Sequence, residues 1–205
     1  MQKEGMTSPK GEIRAMIRAR LDKLSPPERE TRSAAVLIHL LSLLRILNKE
    51  DRKIVLLVYA NLPDEPSLLG LFNSQPAKSL TLVFPRVEKD RRLSLWHVFS
   101  EDQFSIGYAG IREPDLQRCE EIPIEKVDRM VVPGVAFDPV SGARLGRGGG
   151  FYDRLLVSSA APVGVCFDCQ LFSSIPMEKH DRFVGSIVTE TGFHQCAGPE
   201  ERESG

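Results

Sequence analysis

Short apolar runs rich in β-branched residues alternate along this chain with stretches of helical periodicity. Residues 53–60 form the clearest run, because their side chains suit a strand that is buried on both faces of a sheet. Further strands are predicted over residues 80–84, 93–98, 127–132, 163–167 and 186–189. Strands that alternate with helices favour an α/β fold, so we predict a single three-layer domain with a mostly parallel open sheet flanked by helices.

Two serine–proline steps mark the starts of the first two helices. Ser8 precedes Pro9 and Ser25 precedes Pro26, and serine is a favoured N-cap while proline is favoured in the first helical turn. Glu28 lies three residues after Ser25, which completes a capping-box pattern. Apolar residues recur at helical spacing after each step. The predicted helices cover residues 9–23 and 26–44, and shorter helices follow at 67–72 and 151–158.

The composition limits the classes of function that are open to the chain. Its 205 residues are 41% hydrophobic, which is enough to bury one core, so we predict one domain over residues 1–205 with flexible tails at 1–7 and 195–205. The net charge of −1 favours neither nucleic acid nor an anionic membrane as a partner. No apolar run is long enough to span a bilayer, and the N-terminus lacks the apolar centre of a secretory signal. We therefore expect a cytoplasmic monomer.

Cys166 and Cys169 form a C-x-x-C pair. A zinc site would need two further ligands at matching spacing, and a redox pair usually opens a helix. This pair instead ends the apolar run that is predicted as a strand over residues 163–167. We favour small buried residues at a strand end over a metal site or a redox site.

A glycine-rich segment leads from the strand predicted at 127–132 into the helix predicted at 151–158. Its glycines at 146, 148, 149 and 150 allow the backbone to approach a ligand closely. Free N–H groups at the start of a helix bind anions, and Arg144 and Arg147 add charge-assisted donors. The segment therefore predicts a phosphate-binding loop. The alternative is a flexible glycine loop whose arginines are solvated.

Two common nucleotide-binding motifs do not fit this segment. A P-loop needs lysine followed by serine or threonine after its last glycine, and the segment has no such pair. The dinucleotide fingerprint needs a third glycine where Phe151 stands. Asp153 follows the loop in the first turn of the predicted helix. Its carboxylate either favours the helix dipole or holds Mg²⁺ beside a bound phosphate.

Lys10 and Arg14 form a second pair of cations in an unusual position. They fall on or beside the apolar stripe of the first predicted helix, which contains Ile13 and Ile17. Like charges four residues apart repel each other, and both lie near the positive end of the helix. A bound anion would offset these penalties. The alternative is that both side chains extend from the helix end into solvent.

With these elements identified, the chain resembles the 5-formyltetrahydrofolate cyclo-ligase family from about residue 8 to residue 192. The most specific match is Pro-Gly-Val-Ala-Phe-Asp at residues 133–138 followed by Arg-Leu-Gly-Arg-Gly-Gly-Gly-Phe-Tyr-Asp at residues 144–153. Supporting matches are Lys10 with Arg14, Phe84-Pro85-Arg86, residues 110–114, Gln170, Pro176 with His180-Asp181, and Thr189-Glu190.

The resemblance implies a reaction that depends on ATP and Mg²⁺ and converts 5-formyltetrahydrofolate to 5,10-methenyltetrahydrofolate. In the family, the formyl oxygen attacks the γ-phosphate, and N10 of the folate then closes the ring as phosphate leaves. By the match, Arg144 and Arg147 have catalytic roles, Glu65 binds the folate and Asp153 holds the metal. The implied ATP site comprises Lys10, Arg14, Arg144, Gly146, Arg147, Gly148, Gly149, Gly150 and Tyr152, and Tyr152 also faces the folate.

The chain departs from the family pattern at three positions. Phe151 stands where the family usually has the first of two tyrosines, Ala109 where an aromatic residue often precedes the Gly-Ile step, and Gly185 where an aspartate is frequent. The departures at Phe151 and Ala109 leave open a second hypothesis, a phosphate-sugar or nucleotide-binding module that keeps the loop but lacks a folate site. A purely structural protein would leave the glycine-arginine loop unexplained.

Overall fold

Three α-helices occur in the part of the chain that the computed structural model describes, which is residues 8–48, 52–74, 79–88, 92–107, 110–156, 162–178 and 181–198. They are α1 Pro9–Leu21, α2 Pro26–Leu47 and α3 Phe151–Leu156. The predicted N-caps are confirmed: Ser8 Oγ accepts a hydrogen bond from the Gly11 N–H at 3.2 Å, and both halves of the capping box at Ser25 are formed. Residues 157 and 158, the predicted end of the third helix, lie outside the described residues.

The helix predicted over residues 67–72 is a short 3₁₀ turn, Leu69–Asn73. Leu68 stands at its N-cap and gives no side-chain hydrogen bond to the first turn, so a longer α-helix lacks a stabilised start. Gly70 also packs closely on α2, where an added Cβ would lie 2.6 Å from Leu37. The turn therefore serves as a packing contact beneath α2.

The strands are the predicted ones, with shifted ends, and several additional short ones. They are β1 Ile54–Leu57, β2 Leu80–Val87, β3 Leu93–His97, β4 Phe104–Ile106, β5 Arg112–Pro114, β6 Glu120–Glu121, β7 Arg129–Pro133, β8 Ala136–Phe137, β9 Arg144–Leu145, β10 Val163–Val165, β11 Ser186–Thr189 and β12 Gly192–Gln195. Two antiparallel pairs, β4 with β5 and β8 with β9, stand apart from the main sheet.

Among the described residues, the main sheet has eight strands in the order β12-β11-β10-β7-β1-β2-β3-β6. The central strands β11, β10, β7, β1 and β2 run parallel to one another. Antiparallel strands complete both sides, with β12 beyond β11 and with β3 and β6 beyond β2. The predicted open, mostly parallel sheet is therefore confirmed. Its β6 edge consists of two exposed glutamates, Glu120 and Glu121.

Helices cover both faces of this sheet, as predicted. On one face, Val36 and Leu40 of α2 pack in a cluster with Leu56 of β1. The next residue of that strand, Leu57, points to the opposite face and shares a cluster with Leu156 of α3. This alternation follows from the two-residue period of a strand, and it explains why the run around β1 is apolar on both faces.

Helix α1 packs beside the sheet rather than on its central strands. Ile13, Ile17 and Leu21 form a third cluster with Leu145 of β9 and with Phe167, which follows β10. The contact brings the N-terminal end of α1 next to the glycine-rich segment, because β9 immediately precedes residues 146–150. No helix in the described part of the chain has the length and apolar character needed to cross a membrane.

The predicted C-terminal tail begins too early. Gln195 ends β12, which pairs with β11, and the Cys196 N–H donates to the Gly185 carbonyl at 3.0 Å. The hairpin depends on Gly192, whose φ of 146° is rarely adopted by residues with a side chain. The prediction rested on polar composition alone, and it therefore started the tail too early. Residues 199–205 lie outside the described residues.

Candidate active site

Two adjoining cavities lie beyond the carboxyl ends of β1, β2 and β7, where ligands bind in parallel sheets. We call the first the apolar cavity, because most of its lining side chains are hydrocarbon or aromatic. Its lining residues are Tyr59, Ala60, Leu62, Glu65, Pro85, Val87, Leu93, Ile111, Arg112, Glu113, Pro133, Gly134, Arg144, Gly146, Arg147, Gly149, Gly150, Phe151, Tyr152 and Asp153.

The second cavity, which we call the polar cleft, is rich in charged side chains and opens beside the start of α1. It is lined by Ser8, Lys10, Arg14, Arg144, Leu145, Gly146, Gly148, Gly150, Asp153, Arg154, Glu178, Asp181 and Arg182. Lys10 and Arg14 therefore share a cleft with Arg144, although α1 and the glycine-rich segment are more than a hundred residues apart in the sequence.

Four residues line both cavities and form the wall between them: Arg144, Gly146, Gly150 and Asp153. Arg144 is the centre of this wall, with only 6% of its surface exposed. Its guanidinium donates to the Pro133 carbonyl at 3.2 Å and to Asp153 Oδ1 at 2.5 Å. Its buried Nε has no hydrogen-bond partner among the residues that the structure describes.

Arg147 lies on the side of the apolar cavity and lines that cavity rather than the polar cleft. Its Nε donates to Glu65 Oε1 at 3.2 Å, and its Nη2 donates to Asp64 Oδ1 at 2.6 Å. The predicted contact of Arg147 with the triphosphate stays a prediction. In this structure the side chain contacts two carboxylates of the loop that follows β1, and one of them is buried where water screens charge weakly.

Glu65 is a buried carboxylate in a mainly apolar cavity, with 8% of its surface exposed. Burial raises the pKa of Glu65, while a hydrogen bond from the Leu62 N–H and the charge of Arg147 act in the opposite direction. The carboxyl group therefore takes up a proton at a higher pH than an exposed glutamate does. Tyr59 and Tyr152 also line this cavity, and burial raises the pKa of both phenols, which keeps them neutral.

The glycine loop, residues 146–150, connects β9 to α3. Gly148 and Gly150 have φ values of 96° and 65°, which side-chain-bearing residues rarely adopt. An added Cβ on Gly149 would lie 2.7 Å from the ring of Phe151. Glycine is therefore required for this loop to fold tightly at the start of α3, and Arg14 Nε holds the loop from the other side by donating to the Gly146 carbonyl at 3.0 Å.

Lys10 is held at the rim of the polar cleft by two carboxylates. Its Nζ lies 2.6 Å from Asp181 Oδ2 and 2.8 Å from Glu178 Oε1. Burial alone would lower the pKa of the Lys10 ammonium, but its hydrogen bonds to the two acids outweigh that effect and raise the pKa. Lys10 is therefore a cation at the rim of the polar cleft whose charge is paired with these two carboxylates.

Asp153 and the cysteines bear on the question of metals. Asp153 lies in the first turn of α3 and uses Oδ1 to accept from Arg144. Within the described ranges, no three His, Cys, Asp or Glu side chains are grouped so that they could hold a metal. Cys166 is buried directly after β10, and burial raises the pKa of its thiol and of the Cys169 thiol, which opposes ligation as thiolates.

Both cavities contain charged residues that were not predicted as site residues from the sequence. Glu113, which lines the apolar cavity, has 3% of its surface exposed and accepts from the Val87 N–H at 3.3 Å. Asp181 borders the polar cleft. Both belong to matches with the family that were quoted without a role. The signal that could have found them is a charged residue within a matched motif. In the structure, Glu113 also packs against Gly107, where an added Cβ would lie 2.0 Å from Glu113 Oε2.

Comparison with known proteins gives consistent matches over most of the chain. The 5-formyltetrahydrofolate cyclo-ligase family matches residues 6–190. The protein of that name from Escherichia coli strain K12 is 28% identical over 178 residues, covering 85% of this chain and 96% of that protein. The one from Mycolicibacterium smegmatis is 32% identical over 138 residues, covering 64% and 71%. The NMR structure of Aquifex aeolicus 5,10-methenyltetrahydrofolate synthetase is 35% identical, with a TM-score of 0.77, and the match covers 93% of this chain and 94% of that one.

Proposed function

The chain belongs to the 5-formyltetrahydrofolate cyclo-ligase family, and from this we propose that it uses ATP and Mg²⁺ to convert 5-formyltetrahydrofolate to 5,10-methenyltetrahydrofolate, releasing ADP and phosphate. As a member of that family it is a ligase. The observation that carries the proposal is the wall of Arg144, Gly146, Gly150 and Asp153 shared by the polar cleft and the apolar cavity. ATP bound in the polar cleft would therefore lie next to a folate bound in the apolar cavity, with these four residues between them.

In the proposed chemistry, phosphorylation turns the formyl oxygen, which is a poor leaving group, into a good one. The formyl oxygen attacks the γ-phosphorus of ATP, a new O–P bond forms, and the bond from that phosphorus to ADP breaks. N10 of the folate then attacks the formyl carbon of this iminium phosphate and loses its proton. The C–O bond breaks last, so phosphate leaves with the former formyl oxygen and the five-membered ring is closed.

Phosphoryl transfer of this kind needs positioning and neutralisation of charge more than covalent help from the protein. We assign the polyphosphate to the polar cleft, where Lys10 and Arg14 supply charge and the backbone of Gly146, Gly148 and Gly150 supplies a close surface. Arg144, which lines both cavities, would stabilise the negative charge on the oxygens of the transferred phosphate. Its hydrogen bonds to Pro133 and Asp153 would keep its guanidinium in place.

The folate is assigned to the apolar cavity. An aromatic heterocycle with N–H donors suits a pocket that has apolar walls and a buried carboxylate, here Glu65. Tyr152 lines the same cavity, and its ring lies 6.0 Å from the guanidinium carbon of Arg144, so it would contact a folate at the wall between the two cavities. Arg147 lines the same cavity beside Glu65, and we propose that it acts on the folate side of the transferred phosphate.

Asp153 is the residue that would hold Mg²⁺. One carboxylate is sufficient where phosphate oxygens and water supply the remaining ligands, as is usual for this ion. Asp153 borders both cavities, and its Oδ1 is occupied by Arg144. When bound, the ion would neutralise charge on the phosphates.

The monomeric state and the cytoplasmic location of the protein stay predictions.

The proposal is tested by following the absorbance of the methenyl product with Mg²⁺, ATP and 5-formyltetrahydrofolate. Wild-type protein should form product only when both substrates are present. Arg147→Ala and Asp153→Ala should lower kcat/KM by about a hundredfold or more, as expected when a group that stabilises transferred charge is removed. Arg118→Ala, which removes an exposed arginine that lines neither cavity, is the matched control and should retain activity.

Two outcomes would contradict this function. Folded wild-type protein that forms no product under these conditions would exclude the ligase reaction. Equilibrium titration then separates the remaining hypothesis, because binding of nucleotide without binding of folate would identify a nucleotide-binding module.

A further inference from the structure

The glycine loop is fastened at two points, and one point lies in each cavity. On the side of the polar cleft, Arg14 Nε donates to the Gly146 carbonyl at 3.0 Å. On the side of the apolar cavity, Arg147 of the loop donates to Glu65 at 3.2 Å and to Asp64 at 2.6 Å. These contacts hold a segment whose glycines contribute no side chains of their own. The position of the loop therefore depends on both cavities at once.

Asp64 and Glu65 differ in what else they touch. Glu65 is buried, lines the apolar cavity and also accepts from the Leu62 N–H at 2.9 Å. Asp64 makes the shorter contact to Arg147 and lines neither the apolar cavity nor the polar cleft. A ligand in either cavity would therefore not touch Asp64, and an effect of Asp64 on binding would have to act through Arg147.

We propose that Asp64 is a positioning residue that acts through Arg147 to hold the glycine loop ready for both the nucleotide and the folate. The inference rests on the proposed function, since it takes its two ligands from there. A loop that is already ordered costs each ligand less to bind. Loss of Asp64 lowers the fraction of molecules in which the loop is in place. The apparent affinity for the nucleotide and for the folate then falls in proportion to that fraction.

The exposure of the ion pair sets the size of the effect. The side chains of Arg147 and Asp64 are 42% and 35% exposed, so the pair is partly screened by water. Pairs of this kind shift an equilibrium by up to about fivefold. Asp64→Asn should therefore raise the dissociation constants of both ligands by about two- to fivefold.

The experiment is titration calorimetry on wild-type and Asp64→Asn protein with two probes, Mg²⁺ with the non-hydrolysable analogue AMP-PNP, and 5-formyltetrahydrofolate. Each probe alone should bind the variant about two- to fivefold more weakly. With saturating folate present, the ratio of the variant's AMP-PNP dissociation constant to that of wild type should fall to about one, because bound folate orders the loop for the second ligand. A general loss of structure would not produce this recovery.

Two further variants complete the design. Asp64→Glu keeps a carboxylate and should retain most of the affinity for both probes. Asp102→Asn removes an exposed ion pair with Arg118, lines neither cavity and should leave both dissociation constants unchanged. Weakening of only one probe, no weakening of either, or no recovery with folate would each overturn the proposal.

Failure of this inference is distinguishable from failure of the ligase function. Wild-type protein that forms the methenyl product, beside an Asp64→Asn variant that binds both probes normally, overturns only the role of Asp64. Wild-type protein that binds both probes without forming product overturns the reaction, and the calorimetry still decides the role of Asp64. A wild-type chain that binds AMP-PNP but no folate overturns both.

Discussion

Asp138 illustrates how one side chain fixes the loop that feeds the active site. Its carboxylate accepts hydrogen bonds from three backbone N–H groups, those of Val140 at 3.0 Å, Ser141 at 3.4 Å and Ser174 at 3.2 Å. Burial alone would raise the pKa of Asp138, but these hydrogen bonds outweigh burial and lower the pKa. The ionised form therefore stabilises the turn between β8 and β9, and with it the strand that carries Arg144.

Replacing Asp138 by Asn should destabilise the fold in a pH-dependent manner. The neutral amide accepts these hydrogen bonds less well, so the free energy of unfolding at pH 7 should fall by about 1–3 kcal/mol. Because the folded pKa is depressed, the contribution of the carboxylate is fully present above the ordinary carboxyl pKa of about 4 and is lost as pH falls through the lower folded value. Urea unfolding of both proteins at pH 7 and at a pH well below the ordinary carboxyl pKa measures this, and equal stability at pH 7 would contradict it.

At the residue scale, the sequence predicted which residues lie at the site better than it predicted where their side chains point. Lys10 and Arg14 were singled out because two cations on an apolar stripe are costly, and they do meet Arg144 in one cleft. The direction of Arg147 was not predictable, because it is set by Glu65, which lies 82 residues away in the sequence. The rotamer of a long side chain depends on such distant partners, which a local pattern does not contain.

At the element scale, helix α2 shows what a local signal specifies. Both hydrogen bonds of its capping box are formed, with the Ser25 N–H donating to Glu28 Oε2 at 2.8 Å and the Glu28 N–H donating to Ser25 Oγ at 3.4 Å. Each satisfies an N–H that the first turn of a helix leaves unpaired. The helix then runs to Leu47 and covers one face of the sheet.

Removing this cap should lower the stability of the whole chain. Ser25→Ala should reduce the free energy of unfolding by about 1 kcal/mol, which corresponds to a fall in Tm of about 2–4 °C for a chain of this size. Ser42→Ala is the matched control, because Ser42 is exposed in the interior of the same helix and donates only to the Ile38 carbonyl. Calorimetry should show a loss for Ser25→Ala alone, and equal Tm values for the two variants would refute the role of the cap.

The short strands were harder to predict from the sequence for a physical reason. Strands β8 and β9 have two residues each, and a run of that length has no measurable alternation. They pair because the turn at Asp138 brings Phe137 opposite Arg144. Strand β12 was likewise missed, since its polar residues suggest a tail until Gly192 allows it to fold back on β11. Long apolar strands and capped helices are specified locally, whereas these pairs are specified by the turns between them.

At the scale of the whole molecule, the two cavities combine distant parts of the chain. The polar cleft takes residues from α1 and the glycine loop, together with Glu178, Asp181 and Arg182, and the apolar cavity adds the loop that follows β1 and strand β5. The parallel centre of the sheet was predictable, and it places the loops after β1 and β7 at one edge. The contributions of Glu113 and Asp181 were not, because β5 lies in a hairpin outside the main sheet and Asp181 belongs to no helix or strand.

Ligand binding should therefore stabilise the chain as one unit. At a concentration about a hundred times its dissociation constant, AMP-PNP with Mg²⁺ should add about 2.7 kcal/mol to the free energy of unfolding. We expect a single thermal transition that moves to higher temperature as a whole, since the core clusters on both faces share the same strands. Two transitions, of which only one moved, would contradict the single domain that was predicted over residues 1–205.

The two glutamates of β6 oppose association between copies of this chain through the edge of the sheet. An outer strand offers unpaired backbone groups to any neighbouring strand, and charged side chains are a common protection against such pairing. Glu120 and Glu121 face solvent at that border of the sheet, so an approaching second copy would meet the same two negative charges. Replacing both glutamates by neutral residues would remove this repulsion, and the border would then be a place where aggregation of otherwise folded molecules can begin.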